Sequence, residues 1–168
     1  KRAILPQVAG GQWILSVAVT EADYGWRPEQ LHMHASLEHG HYVLNGTKLF
    51  VYDAKAATHL ICAVRTAPAS NGASRGITLL IVDASTPGVS VRTLPGWMGQ
   101  VDEVRFENVQ VPAEAVLGEA EGRGWESLET AVLQAIPILC ADQVGSCQPV
   151  FEMAVAYSGT RIQSGQPI

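Results

Sequence analysis

The residues with chemistry to offer are few and scattered. Thr20 and Glu21 stand together at the end of a short apolar run. A Thr at a strand end beside a loop can present its hydroxyl and its backbone amide to a bound polar ring. On these two residues alone a simple turn is the preferred reading. Arg27, in the loop that follows, can attract an anion, but reads first as a solvated loop charge. Arg161 can serve as a charge-assisted donor or as a surface Arg at a helix end, favourable to the helix dipole; the two readings stand level. No Glu takes the part of a catalytic base. Glu21, Glu38, Glu103 and Glu107 read as loop and surface groups.

Cys62, Cys140 and Cys147 are too few and too dispersed for a disulfide framework. Cys62 lies in an apolar run and reads as a buried free thiol. Cys140 and Cys147 would share a helix face without being bonded. A metal site would need two more ligands at suitable spacing. His32, His34, His39, His41 and His59 fall on predicted strands and loops and do not supply them, so no metal is expected.

The 168 residues suggest one domain, or one domain with an appendage, and a hydrophobic fraction of 47% suffices for a core. A charged fraction of 16% is low and points to apolar surface meant for a partner or for missing parts of a larger chain. The net charge of −5, with 11 basic residues placed singly, excludes a phosphate-backbone partner. No apolar run reaches the roughly eighteen residues of a membrane span, and Lys1-Arg2-Ala3-Ile4-Leu5-Pro6 lacks the layout of a signal peptide. A soluble, cytoplasmic protein is the expectation. The chain starts without Met and stops at Ile168 with no obvious cap, which suits a fragment.

The elements that must position these groups are mostly strands. Trp13 to Thr20 reads as a buried strand after Gly10-Gly11, and residues 21–30 as a loop. Leu31, Met33, Ala35 and Leu37 alternate with His32, His34, Ser36 and Glu38, the period of a strand with one wet face. Asn45-Gly46 between Tyr42–Leu44 and Thr47–Val51 predicts a two-residue type I′ hairpin turn. Strands follow at 59–65 and 77–82, pairing across the polar 67–76 connection. Further strands are expected at 89–94, 101–106 and 109–111, with Pro112 ending the sheet.

After Gly124 the period changes. Trp125, Leu128, Val132, Leu133, Ile136, Leu139 and Cys140 recur at helical spacing. Pro137 and Pro149 must each remove a backbone hydrogen bond or bend the helix. Pro149 can instead open a separate final helix carrying Val150, Met153, Ala154 and Tyr157. The sum is an all-antiparallel barrel or sandwich of seven or eight strands with a helical tail. Domain boundaries are expected at 1–120 and 121–168.

Several pieces, in this order, resemble a known family. They are Leu5-Pro6 with Gly11, Val19-Thr20-Glu21, Asn45-Gly46-Thr47-Lys48, the 57–65 strand, Thr78–Asp83 with Pro87-Gly88-Val89, and Val104–Pro112. Leu117-Gly118, Gly122-Arg123-Gly124 and Arg161–Ile168 complete the set. Together they resemble the middle domain of the acyl-CoA dehydrogenases followed by the start of their C-terminal helical domain. The resemblance implies a mainly β fold, an antiparallel orthogonal β-barrel, with a long C-terminal helix or helix pair. It implies FAD as cofactor and an acyl-CoA thioester as substrate, oxidised at its α,β bond.

The resemblance also assigns residues. Val19 and Thr20 fall where the family's strand end lies against the flavin. Phe50-Val51-Tyr52 fall where the family commonly has Trp-Ile-Thr or Trp-Ile-Ser, whose hydroxyl meets the flavin N5. Here a phenol replaces that small hydroxyl. Gly25-Trp26-Arg27 stand where a Gly-Ser-Asp approaches the pyrophosphate and acyl-CoA. Arg161 and Gln163 fall in the segment that reaches the FAD of a neighbouring subunit, with Ser164 in place of an aromatic. The family's catalytic Glu and its N-terminal helical domain would lie outside these residues, so no catalytic residue is assigned and the chain alone is expected to be inactive. The alternative is a non-catalytic binding or assembly module, a partner subunit or an acyl-group binder. The helix stripe from Trp125 to Cys140 predicts a homo-oligomer formed through the C-terminal helix.

Overall fold

The computed structural model describes residues 3–69, 72–96, 100–118 and 120–168. Lys1 and Arg2, and Ser70 and Asn71 of the 67–76 connection, lie outside the described residues. Two compact units divide the chain, residues 1–127 and 128–168.

The first unit opens with a short helix that the sequence reading did not anticipate, α1 (Leu5–Ala9), with Pro6 in its first turn where a missing N–H costs nothing. Eight strands follow: β1 (Leu15–Ala18), β2 (Ala35–Glu38), β3 (His41–Tyr52), β4 (His59–Arg65), β5 (Ile77–Asp83), β6 (Val89–Leu94), β7 (Val101–Pro112) and β8 (Val116–Leu117). They make two four-stranded sheets, ordered β1-β4-β5-β8 and β2-β3-β7-β6. The mainly antiparallel architecture expected from the sequence is present, with one correction. β1 and β4 run parallel, Leu15 beside His59 through Ala18 beside Cys62. The excursion through β2 and β3 lies between them, long enough to bring the chain back in the same direction.

β4 and β5 pair antiparallel from His59–Asp83 to Arg65–Ile77, as the two apolar runs require. Their connection is held by Arg65, which is buried and, among the described residues, paired with no carboxylate. Its guanidinium donates to the carbonyls of Leu31, Pro28, Ala73 and Arg75. Leu31, Met33 and Ala35 are buried while His32, His34 and Ser36 face outward, so the predicted alternation is real. Only residues 35–38 pair as a strand, however, and Leu37 is exposed.

The predicted Asn45-Gly46 turn does not form. β3 runs unbroken from His41 to Tyr52, and the hairpin turn is at His39-Gly40, where both residues have positive φ (50° and 83°). That placement pairs Ala35 with Leu44 on one side while Val109 pairs with Leu44 on the other. A turn at 45–46 would forfeit both ladders. Asn45 instead serves a bulge: its side chain exchanges two hydrogen bonds with Asn108, Nδ2 to Oδ1 at 3.1 Å and Oδ1 from the Asn108 amide at 2.8 Å. Gly46 passes under Met33, whose Cγ would lie 2.9 Å from any added Cβ. The 101–106 and 109–111 segments are one strand, β7, kinked at this bulge, with Asn108 at φ 51°.

The core lies between the sheets. Tyr42, Leu44, Val104, Phe106 and Val109 come from one, Ala18, Leu60, Cys62, Val64, Leu80 and Val82 from the other. At about 25 cal/mol per Å² of apolar surface removed from water, this cluster is the main stabilising term of the unit.

The helix α2 (Gly124–Thr160) starts in the first unit, where Gly124 passes so close to Leu79 that an added Cβ would meet its amide nitrogen at 2.6 Å. α2 is continuous through Pro137 and Pro149, so the separate final helix does not occur. In the second unit its apolar residues are not confined to the predicted stripe. Ile136 and Ile138 are both exposed and lie on opposite sides, about 200° apart at 100° per residue. A helix apolar on more than one side is one that is normally covered. A hairpin of β9 (Ile162–Gln163) and β10 (Gln166–Pro167) closes the chain, turning at Ser164-Gly165 with both φ positive. Among the described residues no helix is long and apolar enough to cross a membrane.

Candidate functional site

A cleft of about 690 Å³ opens between the end of β1 and the end of β3. Ser16, Val17, Val19 and Thr20 form one wall, and Leu49, Phe50, Tyr52 and Asp53 the other, with Tyr24 and Trp26 at the rim. The walls are tied together by the Leu49 amide, which donates to the Thr20 carbonyl at 2.8 Å, and by the Ser16 hydroxyl, which donates to the Tyr52 carbonyl at 2.6 Å.

A second bulge shapes the β3 wall. Lys48 pairs with Val104 and Val51 with Asp102, so Leu49 and Phe50 together oppose the single residue Glu103. Because side chains alternate with period two, one extra residue flips the parity of all that follows. Phe50, at φ 53°, is turned out of the core and Val51 into it. Phe50 then lies against Tyr24, ring centroids 5.8 Å apart. A non-glycine residue held at positive φ beside a cleft is a strained conformation of the kind found at binding sites.

Of the residues singled out in the sequence, Val19, Thr20, Phe50 and Tyr52 line this one cleft. Val51 is fully buried with its side chain in the core, so only its backbone is near the wall. Tyr52 is 67% exposed: its ring stands at the rim and leaves the space beside Thr20 open. Arg161 and Gln163 belong to the second unit. There Arg161 donates to the Tyr157 phenol and lies over its ring, 5.6 Å from the centroid. Gln163 pairs with Gln166 across the closing hairpin.

Two features of the site were not read from the sequence. Trp26, read from the resemblance as standing in place of a small hydroxyl, donates its indole N–H to the Thr20 hydroxyl at 2.9 Å. Glu21 is not a surface group, which corrects the sequence reading. It is buried, its Oε1 lies 2.6 Å from the Nζ of a fully buried Lys48, and it accepts the backbone amides of His32 (2.8 Å) and Met33 (3.0 Å). Lys48 Nζ also donates to the Val19 carbonyl at 3.2 Å. One buried pair therefore holds the strand end that forms the cleft wall. A signal existed: Lys48 shares the inward parity of Tyr42 and Leu44, and an inward lysine requires an inward carboxylate.

Cys62 sits in the same interior, and burial pushes its thiol up to about 11, with smaller opposing effects from Lys48 and Glu21. It is a buried free thiol, as expected, while Cys140 and Cys147 are exposed and unbonded. At the surface Glu103 and Arg92 form a bidentate pair, and the Arg92 guanidinium holds the Glu103 carboxyl below its usual range. Among the described residues no group of His, Cys, Asp and Glu gathers to hold a metal ion.

Two four-stranded, mainly antiparallel sheets, with bulges where β3 pairs β7, and a strand-end cleft define a β-domain, which a long helix extends. Residues 16–109 match the family model of the acyl-CoA dehydrogenase middle domain, and the chain belongs to the acyl-CoA dehydrogenase family. Over its whole length it is 33% identical to an acyl-CoA dehydrogenase of Bacillus subtilis and 32% identical to cyclohex-1-ene-1-carbonyl-CoA dehydrogenase of Geobacter metallireducens, spanning 45% of each. An acyl-CoA dehydrogenase structure from Geobacillus kaustophilus superposes with a TM-score of 0.90 at 29% identity, covering 99% of this chain and 45% of that one. A glutaryl-CoA dehydrogenase from Mycobacterium smegmatis, solved in complex with FADH2, superposes at 0.85 with 25% identity, covering 99% and 42%. The chain thus spans less than half the length of these relatives.

Proposed function

We propose that this chain forms one wall of the FAD and acyl-CoA site of an acyl-CoA dehydrogenase, which oxidises the α,β bond of an acyl-CoA thioester. The observation that carries the reading is the open cleft beside Thr20, at the strand end where the family resemblance puts the flavin. The residues fit a planar, edge-polar ring. Val17, Val19, Leu49 and Phe50 supply apolar contact, and the Thr20 hydroxyl supplies a polar group on that wall. When bound, FAD would supply the two-electron acceptor for the acyl chain.

The chain's own residues bind and orient. The Lys48–Glu21 pair fixes the Val19-Thr20 backbone, and the Phe50 bulge sets the opposite wall. Tyr52 stands at the rim. Among the described residues no glutamate lines the cleft; no base is assigned, and no turnover is expected from the chain alone. Arg161 and Gln163 would reach the pyrophosphate of FAD held by a neighbouring subunit, which makes a homo-oligomer through α2 part of this reading.

A second reading, a non-catalytic partner subunit, draws on Trp26 and Tyr52, which stand where the resemblance puts small hydroxyls. Titrating the purified chain with FAD, followed by flavin absorbance and fluorescence, separates the two. Weak but saturable binding is expected. Absence of saturation would remove the cofactor reading and leave the partner subunit.

A further inference from the structure

We infer that Trp26 is a positioning residue that holds the Thr20 hydroxyl with its proton free for the cleft, favouring a ligand edge that carries an acceptor. The inference rests on the reading of the cleft as the flavin seat. It begins with a count of hydrogen-bonding capacity. A threonine hydroxyl has one proton to donate and two lone pairs to accept with, whereas an indole N–H only donates. With Trp26 Nε1 at 2.9 Å, the direction of their bond is therefore settled: Thr20 Oγ1 accepts.

The hydroxyl proton remains unspent. Among the described residues no protein group accepts it, and the Thr20 carbonyl is separately occupied by the Leu49 amide. Thr20 is only 9% exposed and lies on the cleft wall beside Val17 and Val19. The proton is thus presented to the cleft from an apolar surface, where a ligand acceptor would be its natural partner. The indole also polarises the O–H it binds, because a hydroxyl that accepts a hydrogen bond donates a stronger one. A ligand edge carrying an acceptor, such as the carbonyl and imine positions of a flavin pyrimidine, meets a matched donor. An edge that only donates can use the second lone pair of the hydroxyl but leaves its proton without an acceptor.

Two readouts on the full chain test this, one without ligand and one with FAD. In the ¹⁵N-labelled chain the Trp26 indole signal is assigned by its loss in W26F. T20V should speed its exchange with water and move its shift, and T20S should leave both near the wild-type values. If T20V changes neither, the Trp26–Thr20 bond is absent in solution and the inference is overturned. FAD is then titrated and followed by backbone amide shifts at Thr20 and Leu49 and by the flavin absorption band. W26F, which keeps the ring but loses the donor, should weaken FAD by at most about tenfold, since the bond it removes is present with and without ligand and only its orienting effect on Thr20 is lost, and should shift the band. T20S should restore the wild-type band. FAD affinity and band unchanged in W26F would overturn the inference while leaving the flavin reading intact. Failure of FAD to bind the wild-type chain would overturn the flavin reading and the ligand assignment, with the indole exchange still deciding the direction of the donor.

Discussion

Replacing Lys48 by Met tests the arrangement beneath the cleft. The ammonium is fully buried and lies 2.6 Å from Glu21, while the carboxylate also accepts the His32 and Met33 amides. Removing the cation leaves a buried carboxylate with two amide donors and no counter-charge. Loss of one partner of a buried pair costs about 3–5 kcal/mol, a large part of the stability of a domain this size. Glu21→Gln should be damaging by another route. Its oxygen can keep the two backbone amides, but its NH2 then faces the Lys48 ammonium, donor against donor. Combining the two substitutions relieves both faults, since Gln beside Met has no charge to leave unpaired. The double variant should therefore be less destabilised than the sum of the singles by about 0.5–3 kcal/mol. Urea unfolding followed by tryptophan fluorescence gives the three values, provided the slope with denaturant stays constant. Strict additivity, or a K48M cost below about 1 kcal/mol, would refute the role given to this pair.

Three further outcomes are expected. Gly40→Ala places a Cβ at φ 83° in open space and should cost about 1 kcal/mol. Gly88→Ala, at φ 93° with the Glu107 carbonyl oxygen 2.2 Å from the new Cβ, should lower the unfolding midpoint clearly more; equal shifts would contradict the close approach. With a thiol reagent the native chain should react rapidly at Cys140 and Cys147 and only on denaturation at Cys62, so three fast thiols would be incompatible with the burial of Cys62. The Ser85 hydroxyl and amide hold the Asp83 carboxyl below its usual range. A carboxyl lowered on folding stabilises above its unfolded pKa and loses that contribution as pH falls through the folded value. The stability gap between wild type and S85A should thus be present at neutral pH and vanish in acid. A gap independent of pH would rule this out.

Strand β4, strand β6 and the pairing of β4 with β5 were legible because short apolar or alternating runs bounded by Pro, Gly and polar residues have few other ways to fold. The Asn45-Gly46 error shows the limit. The pair has the chemistry of a type I′ turn, but Leu44 has ladder partners on both sides only if the strand continues. His39-Gly40 meets the same conformational demand at lower cost. Local preference proposed two turns, and long-range pairing chose between them.

The cleft divides in the same way. Residue identity alone determined the class of elements, the free thiols, the absence of a basic patch and, through the order of its motifs, the family resemblance at Val19-Thr20. Those properties depend on composition or on neighbours along the chain. Tertiary structure alone decided that Glu21 is buried against Lys48, that a bulge turns Phe50 outward and Val51 inward, and that Trp26 spends its N–H on Thr20. Each joins residues from different strands or loops, and each depends on register. A one-residue shift in pairing reverses which side chains meet, and nothing in the linear order of residues records that shift.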